Sequence, residues 1–81
     1  MDIKCGSVVK SKSGRDKDKF FLVVNMDERF VYICDGKERK LAKPKRKNPI
    51  HLSPTKEVLS VRSIKSDKEL RTVLSRFNSE I

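Results

Sequence analysis

Apolar residues in the first half of the chain fall into short runs rich in β-branched and aromatic side chains, separated by polar punctuation. Residues 6 to 12 carry Val8 and Val9, residues 20 to 26 open with Phe20-Phe21-Leu22-Val23-Val24, and Phe30-Val31-Tyr32-Ile33-Cys34 makes a third run. Each has the composition of a strand. Asp27-Glu28 joins the second and third runs at hairpin length. Asp35-Gly36 predicts a two-residue type I′ hairpin, because both residue types accept positive φ. A fourth strand is then expected over residues 38 to 42, ended by Pro44, whose missing N–H cannot serve a sheet ladder. Ile50 and Leu52, with His51 between them and flanked by Pro49 and Pro54, suit a short closing strand. Five short antiparallel strands predict a small closed β-barrel, a form that hides strand edges.

Past this region the period changes. Ser66-Asp67-Lys68-Glu69 has capping-box spacing, with the serine oxygen placed to accept from the N–H three residues on. Leu70, Val73, Leu74, Phe77 and Ile81 then recur at helical intervals, which predicts a helix over about residues 67 to 77 with one apolar stripe. The stripe is expected to dock on the barrel and complete a small core; binding of another protein is the alternative use. Residues 55 to 64 admit two readings. Ser53-Pro54 suits the start of a helical turn, whereas Val58, Val61 and Ile64 suit an extended segment. The domain reading is a barrel over 1–54 and a C-terminal extension over 55–81.

Charge changes the picture from fold to partner. The 81 residues carry a net charge of +9, with 38% charged and only 36% hydrophobic positions. Such a surplus repels itself, and an anionic partner relieves it. The cations also cluster: from Leu41 to Pro54 there are Lys43, Lys45, Arg46 and Lys47 and no acidic residue. A basic surface that merely keeps the chain soluble is the bland alternative; the clustering favours nucleic acid.

A more specific signal lies in an ordered set of residues. Gly6 opens an apolar strand, Gly14-Arg15-Asp16-Lys17 forms a cationic turn, and Phe20 to Val24 returns; Asp35-Gly36, Leu41-Ala42-Lys43-Pro44-Lys45-Arg46-Lys47 and His51-Leu52 follow in order. This set resembles the KOW motif, as found in bacterial KOW domain-containing RNA-binding proteins, themselves similar to small KOW-group large-subunit ribosomal proteins of archaea and eukaryotes. Asp18 stands where the family usually has a second glycine, and Asp tolerates left-handed backbone better than most residues. The resemblance implies a mostly β fold, a five-stranded SH3-like barrel with a C-terminal α-helix, that binds structured ribosomal RNA or a ribosomal particle. The candidate RNA-binding residues are Lys10, Lys12, Gly14, Arg15, Lys17, Lys19, Arg39, Lys40, Lys43, Lys45, Arg46, Lys47 and His51. The Gly14 to Lys19 turn and the basic segment around Arg46 are expected as two loops straddling a phosphate ridge, with Arg15 and Arg46 as bidentate forks and the lysines as point charges. Gly14 either allows close approach of a ligand or satisfies the turn. Most of the aromatics are expected in the core or its rim, with Tyr32 and Phe20 the candidates for meeting an unstacked base.

Other classes find less support. The chain has no Walker loop, no dinucleotide glycine fingerprint and no assembled Ser-His-Asp set, so an enzyme is not expected. Cys5 and Cys34 lack CxxC spacing and His51 stands alone, so neither metal, cofactor nor disulfide is expected. No run approaches the roughly 20 apolar residues of a membrane span, and no h-region follows Met1, from which a cytoplasmic location is expected. Duplex DNA lacks a recognition helix here. The rival from another class is a protein-interaction adaptor of the translation or transcription machinery, bound through the barrel side or the helical stripe.

Overall fold

A computed structural model describes residues 3–78. Strands β1 (Ser7–Ser11), β2 (Phe20–Met26), β3 (Val31–Cys34), β4 (Lys45–Lys47) and β5 (Leu52–Val58) form one antiparallel sheet in the order β4-β3-β2-β1-β5, followed by helix α1 (Asp67–Asn78). The chain is therefore mostly β with a single C-terminal α-helix among the described residues. β4 and β5 are edge strands and do not pair with each other, so the ladder is open where a closed barrel was expected.

Each face of the sheet is buried differently. Val9, Phe21, Val23, Val31, Ile33 and Leu52 fill one face, joined by Ile3. These six side chains are at most 1% exposed, and the ladder carries register shifts between Ser7 and Val9 and between Val23 and Asn25, irregularities that kink a strand locally. On the other face Val8, Leu22 and Cys34 meet Leu70 and Leu74 of α1, with Phe20, Val24, Leu41, Leu59, Ile64 and Phe77 around them. Adjacent Phe20 and Phe21 therefore serve opposite faces, as strand alternation requires.

The helix is fixed at its start. The Ser66 hydroxyl accepts from the Glu69 N–H at 3.1 Å, and Asp67 Oδ1 accepts from the Leu41 N–H at 2.8 Å. Arg71 donates to the Gly36 carbonyl at 2.6 Å. Gly36 lies at φ +78°, and a Cβ there would run into the Asp67 carbonyl, so both backbone and space demand glycine. Ile81 lies outside the described residues.

Three strand expectations are corrected. Asp35-Gly36 does not close a two-residue hairpin: Asp35 Oδ1 accepts from the Lys37 and Arg39 N–H groups, both at 2.9 Å, and opens a connector that reaches Pro44. Residues 38 to 42 form no strand, because Leu41 turns into the helix-side core. The fourth strand is instead Lys45–Lys47. Pro54 lies within β5, opposite Val9, and is tolerated there because β5 is an edge. β5 thus runs on past residue 54, the expected domain boundary, to Val58, and is followed by a short 3₁₀ turn, Val61–Ser63.

Candidate nucleic-acid interface

The β1–β2 connector is held by its own backbone. Ser11 N–H donates to the Lys19 carbonyl at 2.9 Å, Asp18 N–H to Ser11 at 2.8 Å and Lys19 N–H to Asp16 at 3.0 Å, around a 3₁₀ turn Gly14–Asp16. Gly14 at φ +78° and Asp18 at φ +71° are the two left-handed positions. Asp18 thus occupies a conformation natural to glycine. Space beside the Gly14 α-carbon is open, so turn geometry accounts for the glycine and leaves its outer side accessible. Lys12, Arg15, Lys17 and Lys19 are all exposed on this connector.

Asp16 joins this connector to the far edge of the sheet. It is only 8% exposed, and its Oδ2 takes the Lys45 ammonium at 3.1 Å. Burial pushes its carboxyl upward, but the Lys45 hydrogen bond and the charges of Lys45, Lys47 and Lys19 outweigh this and hold it below the ordinary carboxylate range. Asp16 therefore stays ionised at neutral pH, surrounded by cations. The Gly14 turn and β4 are consequently on a common side.

A third segment joins them. The Lys12 N–H donates to the His51 carbonyl at 2.8 Å, drawing in a 3₁₀ turn, Pro49–His51, whose start is capped by Asn48 Oδ1 accepting from Ile50 N–H at 3.1 Å. His51 is exposed there, and Ile50 at its tip is 62% exposed. Lys12, Arg15, Lys17, Lys19, Lys45, Lys47 and His51 thus come from three segments tied to one another around Asp16.

Arg46 departs from this group. In the β3–β4 register Lys45 faces Ile33, Arg46 faces Tyr32 and Lys47 faces Val31. Directly paired residues share a face, so the two lysines lie on the side of buried Ile33 and Val31 and Arg46 on the other. The expected loop of four cations is thus in part a strand that divides them between two faces. Lys10 likewise shares the helix-side face with Phe20, its ammonium 5.8 Å from the ring centroid and 3.7 Å from Asp18.

Arg39, Lys40 and Lys43 occupy the β3–β4 connector. Arg39 uses its backbone to close the Asp35 turn, Lys43 N–H donates to the Lys40 carbonyl at 2.9 Å, and both lysines are exposed beside Leu41, which is tied to α1. Lys19 pairs with Glu38 of this connector at 3.5 Å. A groove lies below it, lined by Lys19, Phe20, Asp35, Glu38, Arg71 and Leu74 among others, with charges of both signs. Among the described residues no group of three or more His, Cys, Asp or Glu is placed to hold a metal ion. Cys34 is buried, and burial, followed by Asp67 and Asp35, pushes its thiol up to about 12; Cys5 is exposed. No described helix is long and apolar enough to cross a membrane.

Sequence reasoning missed the Asp16–Lys45 pair and the position of Arg46 over Phe30, 4.7 Å from the ring centroid. Strand alternation through Lys45-Arg46-Lys47 was the available signal for the second. The first joins residues 29 positions apart and has no local signal. No model of a known protein family matches this chain.

Proposed function

We propose that this chain is an RNA-binding module of the KOW type, an SH3-like barrel with a docked helix that acts in the cytoplasm on structured ribosomal RNA or a ribosomal particle. The observation that carries this reading is the Asp16–Lys45 pair, which fastens the Gly14 turn to β4 and gathers Lys12, Arg15, Lys17, Lys19 and Lys47 on tethered segments. A buried cluster contributed by all strands but β4 on one face of the sheet supports the barrel reading. The net charge of +9 supports a polyanionic partner.

Mechanistically, the lysines and Arg15 neutralise phosphates and release condensed counterions, while the fixed spacing of the three segments selects backbone shape. Asp16 serves the site by placing Lys45 and ordering the connector. Of the two surfaces open to the adaptor reading, the barrel side and the helical stripe, the stripe has Leu70 and Leu74 buried against the sheet.

The test is a titration of the full chain with a structured ribosomal RNA fragment across a range of salt concentrations. The slope of log K against log salt is expected to be several units negative, about 0.7 to 0.9 for each phosphate engaged. A flat response contradicts the reading.

A further inference from the structure

We propose that the outer side of β4 is a stacking shelf for an unpaired nucleobase, received on the exposed face of the Arg46 guanidinium. The inference rests on the RNA-binding reading above and adds to it a second kind of contact, to bases rather than to phosphates.

The shelf is built from Arg46 and Phe30. Arg46 is exposed, and its guanidinium carbon lies 4.7 Å from the centroid of Phe30, a half-buried residue of the β2–β3 connector. A guanidinium is planar and has two faces. Contact with the Phe30 ring holds the side chain over the connector, which removes part of the entropy that a free arginine loses on binding, and the exposed side of the group is left for a base.

The connector that carries Phe30 is fixed by a single carboxylate. Asp27 Oδ1 accepts from the N–H groups of Arg29 at 2.9 Å and Phe30 at 2.8 Å, Oδ2 accepts from the Tyr32 hydroxyl at 2.7 Å, and the Asp27 N–H donates to the Phe30 carbonyl at 2.9 Å. The Tyr32 hydroxyl, then the Phe30 and Arg29 N–H groups, and more weakly the Arg46 charge, keep this carboxyl below its ordinary range. Asp27 therefore stays anionic at neutral pH. The Asp27 charge offsets that of Arg46 in part, whereas a base can stack on the guanidinium plane and carries no charge to repel.

Geometry separates the two functions of β4. Lys45 and Lys47 lie on the phosphate-facing side with Asp16, while Arg46 lies on the opposite side with Tyr32. β4 is an edge strand only three residues long, so a single-stranded segment passing over the edge meets both sides. Of the other stacking candidates, Phe20 packs against Phe77 at 5.5 Å between centroids and carries Lys10 over its ring, while Tyr32, its hydroxyl held by Asp27, stands beside Arg46 on the same face of the sheet.

The test uses Arg46→Lys, which keeps the charge and removes the plane. The probes are an RNA hairpin carrying 2-aminopurine in its unpaired loop and a blunt RNA duplex. The unmodified chain is expected to bind both and to change the 2-aminopurine fluorescence. Arg46→Lys is expected to bind the hairpin about tenfold more weakly and to lose the fluorescence change, with duplex affinity and salt slope unaltered. Unchanged hairpin binding, or an equal loss on both RNAs, would overturn the stacking shelf while leaving phosphate binding intact. Failure of the unmodified chain to bind either RNA would instead overturn the RNA reading itself.

Discussion

Replacing Arg15, Lys17 and Lys47 together with alanine is expected to flatten the salt dependence of RNA binding by roughly 2–3 units, since each lost phosphate contact removes about one. Affinity should fall on every RNA that binds, because phosphate contacts carry position and not sequence. The choice of residues follows from the structure. Arg15 and Lys17 are exposed and Lys47 is half-buried at the rim, whereas Lys45 is the partner of a buried carboxylate. Removing Lys45 would leave Asp16 ionised in a poorly hydrated position, so a loss of binding after that change would mix stability with recognition. A matched replacement of Lys56, Arg62 and Lys68, which lie on β5, the turn after it and α1, should leave the slope nearly unchanged. If that second triple flattened the slope and the first did not, the interface would lie on the other side of the molecule.

The second large effect concerns the core. Leu70→Ala is expected to destabilise the fold by about 2–5 kcal/mol, because Leu70 is fully buried against Val8, Leu22 and Cys34. For a domain of this size that lowers the melting temperature by roughly 4–8 °C per kcal/mol. Two terms set the magnitude, the lost transfer of three buried carbons and the cavity left between a helix and a sheet that relax only in part. Exposed Lys68 on the same helix gives the control, with Lys68→Ala expected within about 0.5 kcal/mol of the unmodified chain. Circular dichroism melts measure both. A Leu70→Ala change as mild as that of Lys68→Ala would mean that the helix is not packed on the sheet. RNA affinity of the folded Leu70→Ala variant should persist, since α1 covers the face of β2 that carries Leu22 and Phe20 and contributes none of the gathered cations.

What could be read from the sequence divides along a physical line. Strands β1, β2 and β3 declare themselves through Val, Phe and Ile, whose burial is their own reason for being strands, and α1 through the Ser66 cap and a stripe at helical spacing. β4 does not. Lys45-Arg46-Lys47 has neither apolar residues nor strong β-propensity, and it is a strand because β3 offers it an unpaired edge opposite Val31, Tyr32 and Ile33. The same non-local cause explains Asp35-Gly36. In isolation the pair suits a tight hairpin, but here Gly36 is shaped by the backbone of α1, which arrives 31 residues later at Asp67. Pro54 likewise reads as a terminator until β5 is known to be an edge.

For the candidate site, residue types were legible and partners were not. The cationic turn and the basic segment follow from residue chemistry, and the left-handed backbone at Asp18 from the resemblance to a motif that usually has glycine there. That Asp16 is the anchor of the cluster, and not a partner of its own loop, depends on a contact across 29 positions of sequence. Arg46 was expected in one loop with Lys45 and Lys47 and is turned to the opposite face from them by the two-residue period of β4.

On the proposed reading RNA is held on the side of the sheet where Asp16 ties the Gly14 turn to β4. Ultraviolet crosslinking of the full chain in cells, with sequencing of the attached RNA and mass spectrometry of the attached peptides, tests it most directly. The expected result is ribosomal RNA from a defined locus, joined to peptides spanning residues 12–19 and 45–51. Crosslinks confined to β5 and α1, or no RNA above background, would contradict it.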